Sequence, residues 1–248
     1  MGKNKLRKFQ DMDSFAHVFQ FSFTDEAPAR GWAQAFFGND KPLVLELGCG
    51  HGEYTVGLAR QDPSRNYIGI DIKGARMWSG AKQVQEEGLT NVMFLRIRIE
   101  TLEKYFHEGE VEQIWITFPD PQMKKATKRL TSTYFMRRYK SMLRPDGLIR
   151  LKTDSPFLYT YTREMIRLNH YPLHLDTDDL YNPMTHLPAS GEAVRAIQTH
   201  YEHQWLERGM TIKYLEWSLP AEPMYTEPDI DIEKDSYRSY GRNATIKS

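Results

Sequence analysis

The sequence of 248 residues contains one cysteine, Cys49, and no hydrophobic run long enough to cross a bilayer. A single cysteine excludes an internal disulfide framework and a cysteine-rich zinc site. The basic first ten residues are not followed by the apolar segment of a secretory signal. We therefore expect a cytoplasmic protein without a membrane segment or a bound metal. The composition leaves the oligomeric state open.

An excess of charge of one sign is also lacking, because 33 Lys and Arg residues balance 33 Asp and Glu residues. A neutral chain argues against a general nucleic-acid binder, but the charges are unevenly distributed. Eight basic residues and no acidic ones lie between Pro121 and Pro145: Lys124, Lys125, Lys128, Arg129, Arg137, Arg138, Lys140 and Arg144. A second basic cluster comprises Lys3, Lys5, Arg7 and Lys8, whereas acids concentrate near the C-terminus. One positive face for phosphates is therefore expected, although a solvated helix surface explains any one cluster equally well.

Short apolar runs alternate with longer helical stretches from Leu43 onward, which predicts an α/β fold. Strands are predicted at 43–47, 66–71, 92–97, 111–118, 148–153, 173–176 and 211–217. Helices are predicted at 53–61, 73–87, 101–106, 132–143, 156–168 and 191–208, with Gly88 ending the second of them. The expected architecture is a Rossmann-like, mostly parallel seven-stranded sheet with helices on both faces.

Three regions are expected along the chain. Residues 1–40 are predicted to be an irregular, basic and aromatic-rich arm that packs on the main domain or extends from it. Residues 41–220 are predicted to be the main domain, and residues 221–248 an acidic tail. Ligands of such sheets bind beyond the carboxyl ends of the strands, and the unusual residues of this chain follow the predicted strands.

The first predicted strand runs into a glycine-rich turn, Glu46-Leu47-Gly48-Cys49-Gly50-His51-Gly52. The dinucleotide fingerprint requires a third glycine at position 53, which is Glu53 here. The observed spacing, with an acid two residues ahead, is instead typical of S-adenosylmethionine sites, where Glu46 would face the positive end of the ligand. A glycine-rich turn alone is often only structural.

Asp71 ends the second predicted strand, nineteen residues after Gly52. A carboxylate in this position can accept both hydroxyls of a ribose. The order of strand, glycine turn, helix, strand and acid therefore favours a cofactor site over a merely structural turn.

The fourth predicted strand ends in Phe118-Pro119-Asp120-Pro121, so two prolines restrict the backbone around Asp120. An aspartate in a turn before proline is frequently structural. The basic run that follows, Lys124 to Leu130, favours a functional role for this turn.

With this block the sequence resembles the TrmB-type tRNA (guanine-N7)-methyltransferases, whose central block reads FPDPWPKKRHxKRR. This chain has FPDPQMKKATKRL, with further matches at Glu46-Leu47-Gly48, Lys152-Thr153-Asp154 and Thr199-His200-Tyr201-Glu202. The resemblance extends from about Pro42 to Trp217. It departs from the family pattern at Gln122-Met123, where Trp-Pro is usual, and at Arg98, where an acid is usual and Glu100 follows two residues later.

The resemblance implies S-adenosylmethionine as cofactor, tRNA as partner and N7-methylguanosine in the variable loop as product. Asp120 would be the catalytic carboxylate between cofactor and guanine. The expected cofactor-binding residues are Glu46, Gly48, Gly50, Gly52, Asp71, Arg98, Glu100 and Asp120. The expected substrate-binding residues are Lys124, Lys125, Asp154, Thr199 and Glu202.

Guanine N7 carries a lone pair and no proton, so its methylation needs positioning more than a general base. Three alternatives remain open: a methyltransferase for another RNA base, one for a small molecule, and a non-catalytic RNA-binding subunit. The adenine-amino methylases usually have Asp/Asn-Pro-Pro-aromatic after the fourth strand, which Pro119 to Gln122 does not match. An NAD-dependent oxidoreductase is disfavoured by Glu53.

Overall fold

A computed structural model describes residues 3–21, 31–185, 187 and 192–236. Their strands form one sheet: β1 Val18–Gln20, β2 Leu43–Leu47, β3 Asn66–Ile70, β4 Val92–Arg96, β5 Val111–Thr117, β6 Leu143–Thr153, β7 Leu173–Thr177 and β8 Lys213–Ser218. Their α-helices are α1 Lys3–Ser14, α2 Gly31–Ala35, α3 Glu53–Gln61, α4 Gly74–Glu87, α5 Thr133–Met142, α6 Pro156–Leu168, α7 Glu192–Ala196 and α8 His200–Glu207. Short 3-10 helices span Ile99–Lys104 and Ala126–Lys128. None of these described helices is both long and apolar enough to span a membrane.

The sheet has the strand order β1-β4-β3-β2-β5-β6-β8-β7. All neighbouring pairs are parallel except those of β8, which runs antiparallel to β6 and β7. Leu47 is in register with Ile70, and Thr117 with Lys152. The segments that follow β2, β3, β5 and β6 therefore lie close together at the carboxyl ends of the parallel strands, where ligands of such sheets bind.

Seven of these strands are the predicted ones, and the eighth comes from the N-terminal arm. β1 pairs in parallel with β4 at the edge of the sheet. α1 packs on α4, where Trp78 Nε1 donates to Asp11 Oδ2 at 2.8 Å and Met12 is fully buried. The prediction of an irregular arm is therefore wrong for these residues, because packing against α4 supplies the stability that the polar sequence of α1 does not reveal.

The core has two parts, one on each face of the sheet. Leu43, Leu45 and Leu47 pack on one face with the apolar sides of α5 and α6, while Val44 packs on the other with α3 and α4. All five residues of β2 are buried, as expected for a strand covered on both faces.

Three elements differ from the prediction by more than a shift of one or two residues at an end. β6 begins at Leu143, before the predicted turn. The turn residues form a bulge within this strand, in which Asp146 has a φ of 60°. The helix predicted at 191–208 is two helices separated by residues 197–199, and Gly191 lies outside the described residues. The 101–106 helix is a 3-10 helix that begins at Ile99.

Residues 219–236, here called the C-terminal strap, follow β8 and lie along α5 and α6 with almost no regular structure. Asn169, at the end of α6, exchanges two hydrogen bonds with the backbone of Thr226. Arg137 of α5 lies 4.2 Å over the ring of Tyr225. The predicted acidic tail is thus held against the domain as far as it is described.

Candidate active site

The glycine-rich turn after β2 depends on backbone conformations that favour glycine. Gly48, Gly50 and Gly52 have φ values of 77°, 56° and 76°. A Cβ on Gly52 would lie 2.8 Å from the ring of Phe94, whereas a Cβ on Gly48 would meet open space. Gly48 is therefore the point where a ligand can approach the backbone, and Gly52 is where the turn packs on the core.

Asp71 joins this turn to the end of β3. Its Oδ2 accepts from Gly50 N at 3.1 Å, and its Oδ1 accepts from Lys73 N at 2.8 Å. Because each carboxylate oxygen has about two lone pairs, Asp71 retains acceptor capacity for a ligand while it holds the loop.

A cleft of about 320 Å³ opens beside Asp71. It is lined by Asp71, Ile72, Ile97, Arg98, Ile99, Glu100, Lys128, Leu130 and Phe135. The structure thus brings together Asp71, Arg98 and Glu100, three of the predicted cofactor residues. Lys128 Nζ lies 3.2 Å from Glu100 Oε1 across this cleft. Five apolar side chains beside the Asp71 carboxylate suit a nucleoside, whose base is flat and whose ribose carries two hydroxyls.

Glu46, near the end of β2, is buried between the start of α3 and the end of β5. Its Oε2 accepts from Thr55 N at 2.8 Å and from Thr55 Oγ1, and its Oε1 accepts from Thr117 Oγ1 at 2.6 Å. Burial raises the pKa of Glu46 to about 7, and these hydrogen bonds offset only part of that effect. The observed partners of Glu46 are threonines at the start of α3 and the end of β5, and its predicted contact with a cation stays a prediction.

The turn after β5 presents Asp120 at the surface. Phe118 and Gln122, on either side of Pro119-Asp120-Pro121, have φ values of 47° and 48°. Such conformations cost about 1–3 kcal/mol each for residues other than glycine, so the surrounding structure must impose them. Asp120 is exposed, and its Oδ1 accepts from Gln122 N at 2.9 Å, which leaves the other carboxylate oxygen available to a substrate.

Buried Arg129 holds this turn from behind. Its guanidinium donates to the carbonyl oxygens of Gln122 and Met123, both at 3.2 Å. The same group lies 4.8 Å from the ring centre of Phe157 and 4.3 Å from that of Tyr161. Arg129 thus connects the Asp120 turn to α6 instead of contributing a surface charge.

The sequence suggested that the eight basic residues between Pro121 and Pro145 have no acidic partners. The structure contradicts this for three of them. Lys128, Arg138 and Arg144 form ion pairs with acids from elsewhere in the chain: Glu100, Glu103 and Glu112. Lys124 and Lys125 are exposed, and among the described residues no ion pair includes either of them. Of the basic residues that have no ion pair within the described ranges, Lys124 and Lys125 are therefore the nearest to Asp120 in the chain.

The segments that follow β5 and β6, where the predicted substrate residues Asp120 and Asp154 lie, are here called the acceptor side. Asp154 follows β6 and is fully buried. Ser155 then caps α6, since its Oγ accepts from Leu158 N at 2.9 Å. Asp154 therefore lies at the predicted edge of the sheet, but its side chain is covered.

Thr199 and Glu202 are also buried, and their polar groups bond within the protein. Thr199 Oγ1 accepts from Glu202 N at 3.2 Å and Glu202 Oε2 accepts from Thr199 N, which is a capping box at the start of α8. Glu202 Oε1 lies 2.8 Å from Lys152 Nζ and accepts from Tyr181 OH at 2.6 Å. Burial lowers the pKa of Lys152 to about 8 despite this carboxylate. These observed contacts anchor α8 to β6, and a contact with substrate stays a prediction.

Comparison with known proteins assigns the family. A family model described as "Putative methyltransferase" matches residues 40–215. The chain is 55% identical to the tRNA (guanine-N(7)-)-methyltransferase of Bacteroides thetaiotaomicron, over 98% of this chain and 96% of the relative. It is 56% identical to that of Porphyromonas gingivalis, over 94% of this chain and 97% of the relative. This chain belongs to the tRNA (guanine-N7)-methyltransferase family.

Solved structures support the fold of this tRNA (guanine-N7)-methyltransferase family member. The 16S rRNA methyltransferase KamB superposes with a TM-score of 0.57 at 16% identity, covering 78% of this chain and 94% of that chain. A variant of the 16S rRNA (adenine(1408)-N(1))-methyltransferase from Catenulisporales acidiphilia, solved with its cosubstrate SAM, superposes with a TM-score of 0.52 at 16% identity. It covers 81% of this chain and 96% of that chain. The predicted Rossmann-like methyltransferase fold is confirmed, with eight strands in place of seven.

The family member also has site residues that the sequence did not single out. Arg129 was predicted as a surface cation, and Glu227 and Asp235 as part of an acidic tail. Arg129 and Asp235 instead contact the turn that follows Asp120, and Glu227 contacts Tyr161, which stacks on Arg129. The helix start at Ser155-Pro156 can be recognised from the sequence, because serine followed by proline is typical of a helix start. The contacts of Glu227 and Asp235 cannot, since their partners Thr133 and Phe157 lie 94 and 78 residues away. No group of three or more metal-ligating side chains occurs within the described ranges.

Proposed function

We propose that this protein transfers the methyl group of S-adenosylmethionine to N7 of a guanine in tRNA, and that this guanine lies in the variable loop. The observation that carries the proposal is identity of 54–56% to tRNA (guanine-N(7)-)-methyltransferases over nearly the whole chain. tRNA is the macromolecular partner, and we expect the reaction to occur in the cytoplasm.

The residues at the ends of β2, β3 and β4 fit S-adenosylmethionine. Gly48 leaves open space for the ligand, Asp71 has acceptor capacity for ribose hydroxyls, and the cleft between Ile97 and Phe135 suits adenine. Gly50 and Gly52 shape the turn, while Arg98 and Glu100 line the cleft. When bound, the ligand supplies an electrophilic methyl group on a sulfonium. Glu46 supports the loop from behind through Thr55.

The acceptor guanine would lie against Asp120. Guanine N7 becomes positively charged as it is methylated, and the fixed, exposed carboxylate of Asp120 can stabilise that charge. No proton leaves N7, so the site needs alignment of the two reactants more than a base. Asp154, if uncovered by tRNA binding, would accept hydrogen bonds from the guanine N1–H and amino group.

Exposed Lys124 and Lys125 would contact tRNA phosphates next to this site. Such contacts give affinity that falls with salt and little sequence information. Thr199 and Glu202 would then support the nucleotide indirectly, through the position of α8.

The decisive experiment is incorporation of labelled methyl from S-adenosylmethionine into unmodified bulk tRNA, followed by nucleoside analysis. N7-methylguanosine is the expected product, and mapping it to the variable loop tests the finer part of the proposal. Another methylated nucleoside would contradict the guanine-N7 assignment. Cofactor binding without incorporation would favour a small-molecule acceptor or a non-catalytic RNA-binding role.

A further inference from the structure

The C-terminal strap reaches the acceptor side of the site, and it lies beyond residue 215, where the match to the family model ends. One of its acids, Asp235, is buried although the segment as a whole is acidic and largely exposed. Asp235 is 5% exposed, while Asp229 and Asp231 on the same segment are exposed. Because Asp235 is buried and its acidic neighbours are exposed, Asp235 is not a surface charge that merely keeps the protein in solution.

Asp235 contacts both loops of the acceptor side. Its Oδ1 accepts from Phe157 N at 3.0 Å, and its Oδ2 accepts from Ser155 Oγ. Its backbone N–H donates to Met123 Sδ at 3.2 Å. Ser155 directly follows Asp154, and Met123 lies three residues after Asp120, so one residue of the strap connects the two predicted acceptor carboxylates.

Glu227 fixes the same strap at a second point. Its Oε1 accepts from Thr133 N at 2.9 Å, and its Oε2 accepts from Tyr161 OH at 2.5 Å. Tyr161 in turn stacks on the guanidinium of Arg129, which binds the carbonyls of Gln122 and Met123. The strap, α6 and the Asp120 turn therefore form one connected hydrogen-bonded and stacked unit.

On the basis of the proposed function, we propose that Asp235 is a positioning residue for methyl transfer. It holds the start of α6 to Met123 of the Asp120 turn, so that Asp120 and Asp154 keep a fixed relative placement. Met123 then has a defined role where the family usually has Trp-Pro: its sulfur is the acceptor that the strap binds. Displacements of about 1 Å at a reacting centre are enough to reduce turnover strongly.

The test is Asp235→Asn in the full chain, with Asp231→Asn as the matched control. Asparagine preserves size and can still accept from Phe157 N–H, but it cannot accept from the Ser155 hydroxyl in its present orientation, and it lacks the charge that strengthens both hydrogen bonds. The control removes the same charge from an exposed position of the strap. Three quantities are compared at a temperature well below unfolding: kcat with tRNA, the Kd for S-adenosylmethionine, and hydrogen exchange of peptides covering residues 119–125.

We expect kcat to fall at least tenfold in Asp235→Asn, with the cofactor Kd within twofold of wild type and faster exchange in residues 119–125. Asp231→Asn should match wild type in all three. Unchanged kcat and exchange despite a lowered Tm would overturn the proposal, because the strap would then only stabilise the fold. An equal loss of cofactor affinity would overturn it as well. If wild type makes no N7-methylguanosine, the proposed function fails, and the exchange comparison alone decides whether Asp235 holds the turn.

Discussion

The two halves of the site are built in different ways. The cofactor half, at the ends of β2, β3 and β4, is held by contacts between consecutive strands and their turns, such as that between Gly50 and Asp71. The acceptor half, at the ends of β5 and β6, is also held by the C-terminal strap, whose Asp235 and Glu227 lie 78 and 94 residues from Phe157 and Thr133. The cofactor half should therefore tolerate substitutions elsewhere in the chain. The acceptor half should be more sensitive to them, because its position depends on distant segments.

The sharpest test of this division is Asp120→Asn, which should affect the acceptor half alone. Asparagine can still accept from Gln122 N, so the turn is kept while the negative charge is lost. We expect kcat to fall about 100-fold or more, with cofactor affinity within twofold of wild type. Single-turnover methyl transfer and a separate titration with S-adenosylmethionine measure the two effects. Loss of cofactor binding would instead place Asp120 in the cofactor half.

Glu46 contacts the start of α3 through Thr55 and the end of β5 through Thr117, and its ionisation should change the stability of the fold. Its folded-state pKa of about 7 exceeds the ordinary value of 4.5. Between those values the folded protein holds a proton that the unfolded chain has lost, so the free energy of unfolding decreases as pH rises toward 7. Relative to Glu46→Gln, which cannot ionise, we expect wild type to lose about 3 kcal/mol between pH 4.5 and 7.5. Urea unfolding at several pH values measures this difference, and parallel pH profiles for the two proteins would contradict it.

Gly48→Ala should affect the cofactor half alone, with Gly88→Ala as its control. Both glycines have positive φ, 77° and 65°, and neither would place a Cβ within 4 Å of another atom. Each substitution should therefore lower the free energy of unfolding by about 1 kcal/mol through backbone strain. Only Gly48→Ala should weaken S-adenosylmethionine binding, by roughly tenfold, because its Cβ would occupy the path of the ligand. Equal cofactor affinities in the two variants would remove Gly48 from the binding site.

Lys124→Ala should have the smallest effect, and it tests whether tRNA phosphates contact the acceptor half. We expect tRNA affinity to fall severalfold and the slope of log affinity against log salt to decrease by about one. Arg144→Ala is the control, because Arg144 is paired with Glu112 and lies at the opposite end of β6. Its salt slope should equal that of wild type. An unchanged slope in Lys124→Ala would place the tRNA on another face.

The sequence by itself determined the features that depend on local chemistry. Seven strands, the glycine turn, Asp71 and the Asp120 turn follow from apolar runs, from positions that favour glycine and from proline, and the structure has them where they were predicted. These signals are readable because the residues concerned are neighbours in the chain, or repeat with the period of a strand or a helix.

Only the tertiary structure decided which charges meet and which acids are buried. Lys128 and Arg144 form ion pairs with Glu100 and Glu112, and Asp235 caps a helix 80 residues away from it. Even the Thr199 to Glu202 segment, readable as a capping box, did not reveal that Glu202 also binds buried Lys152. Charge pairing and burial depend on distances in space, which spacing along the chain does not encode.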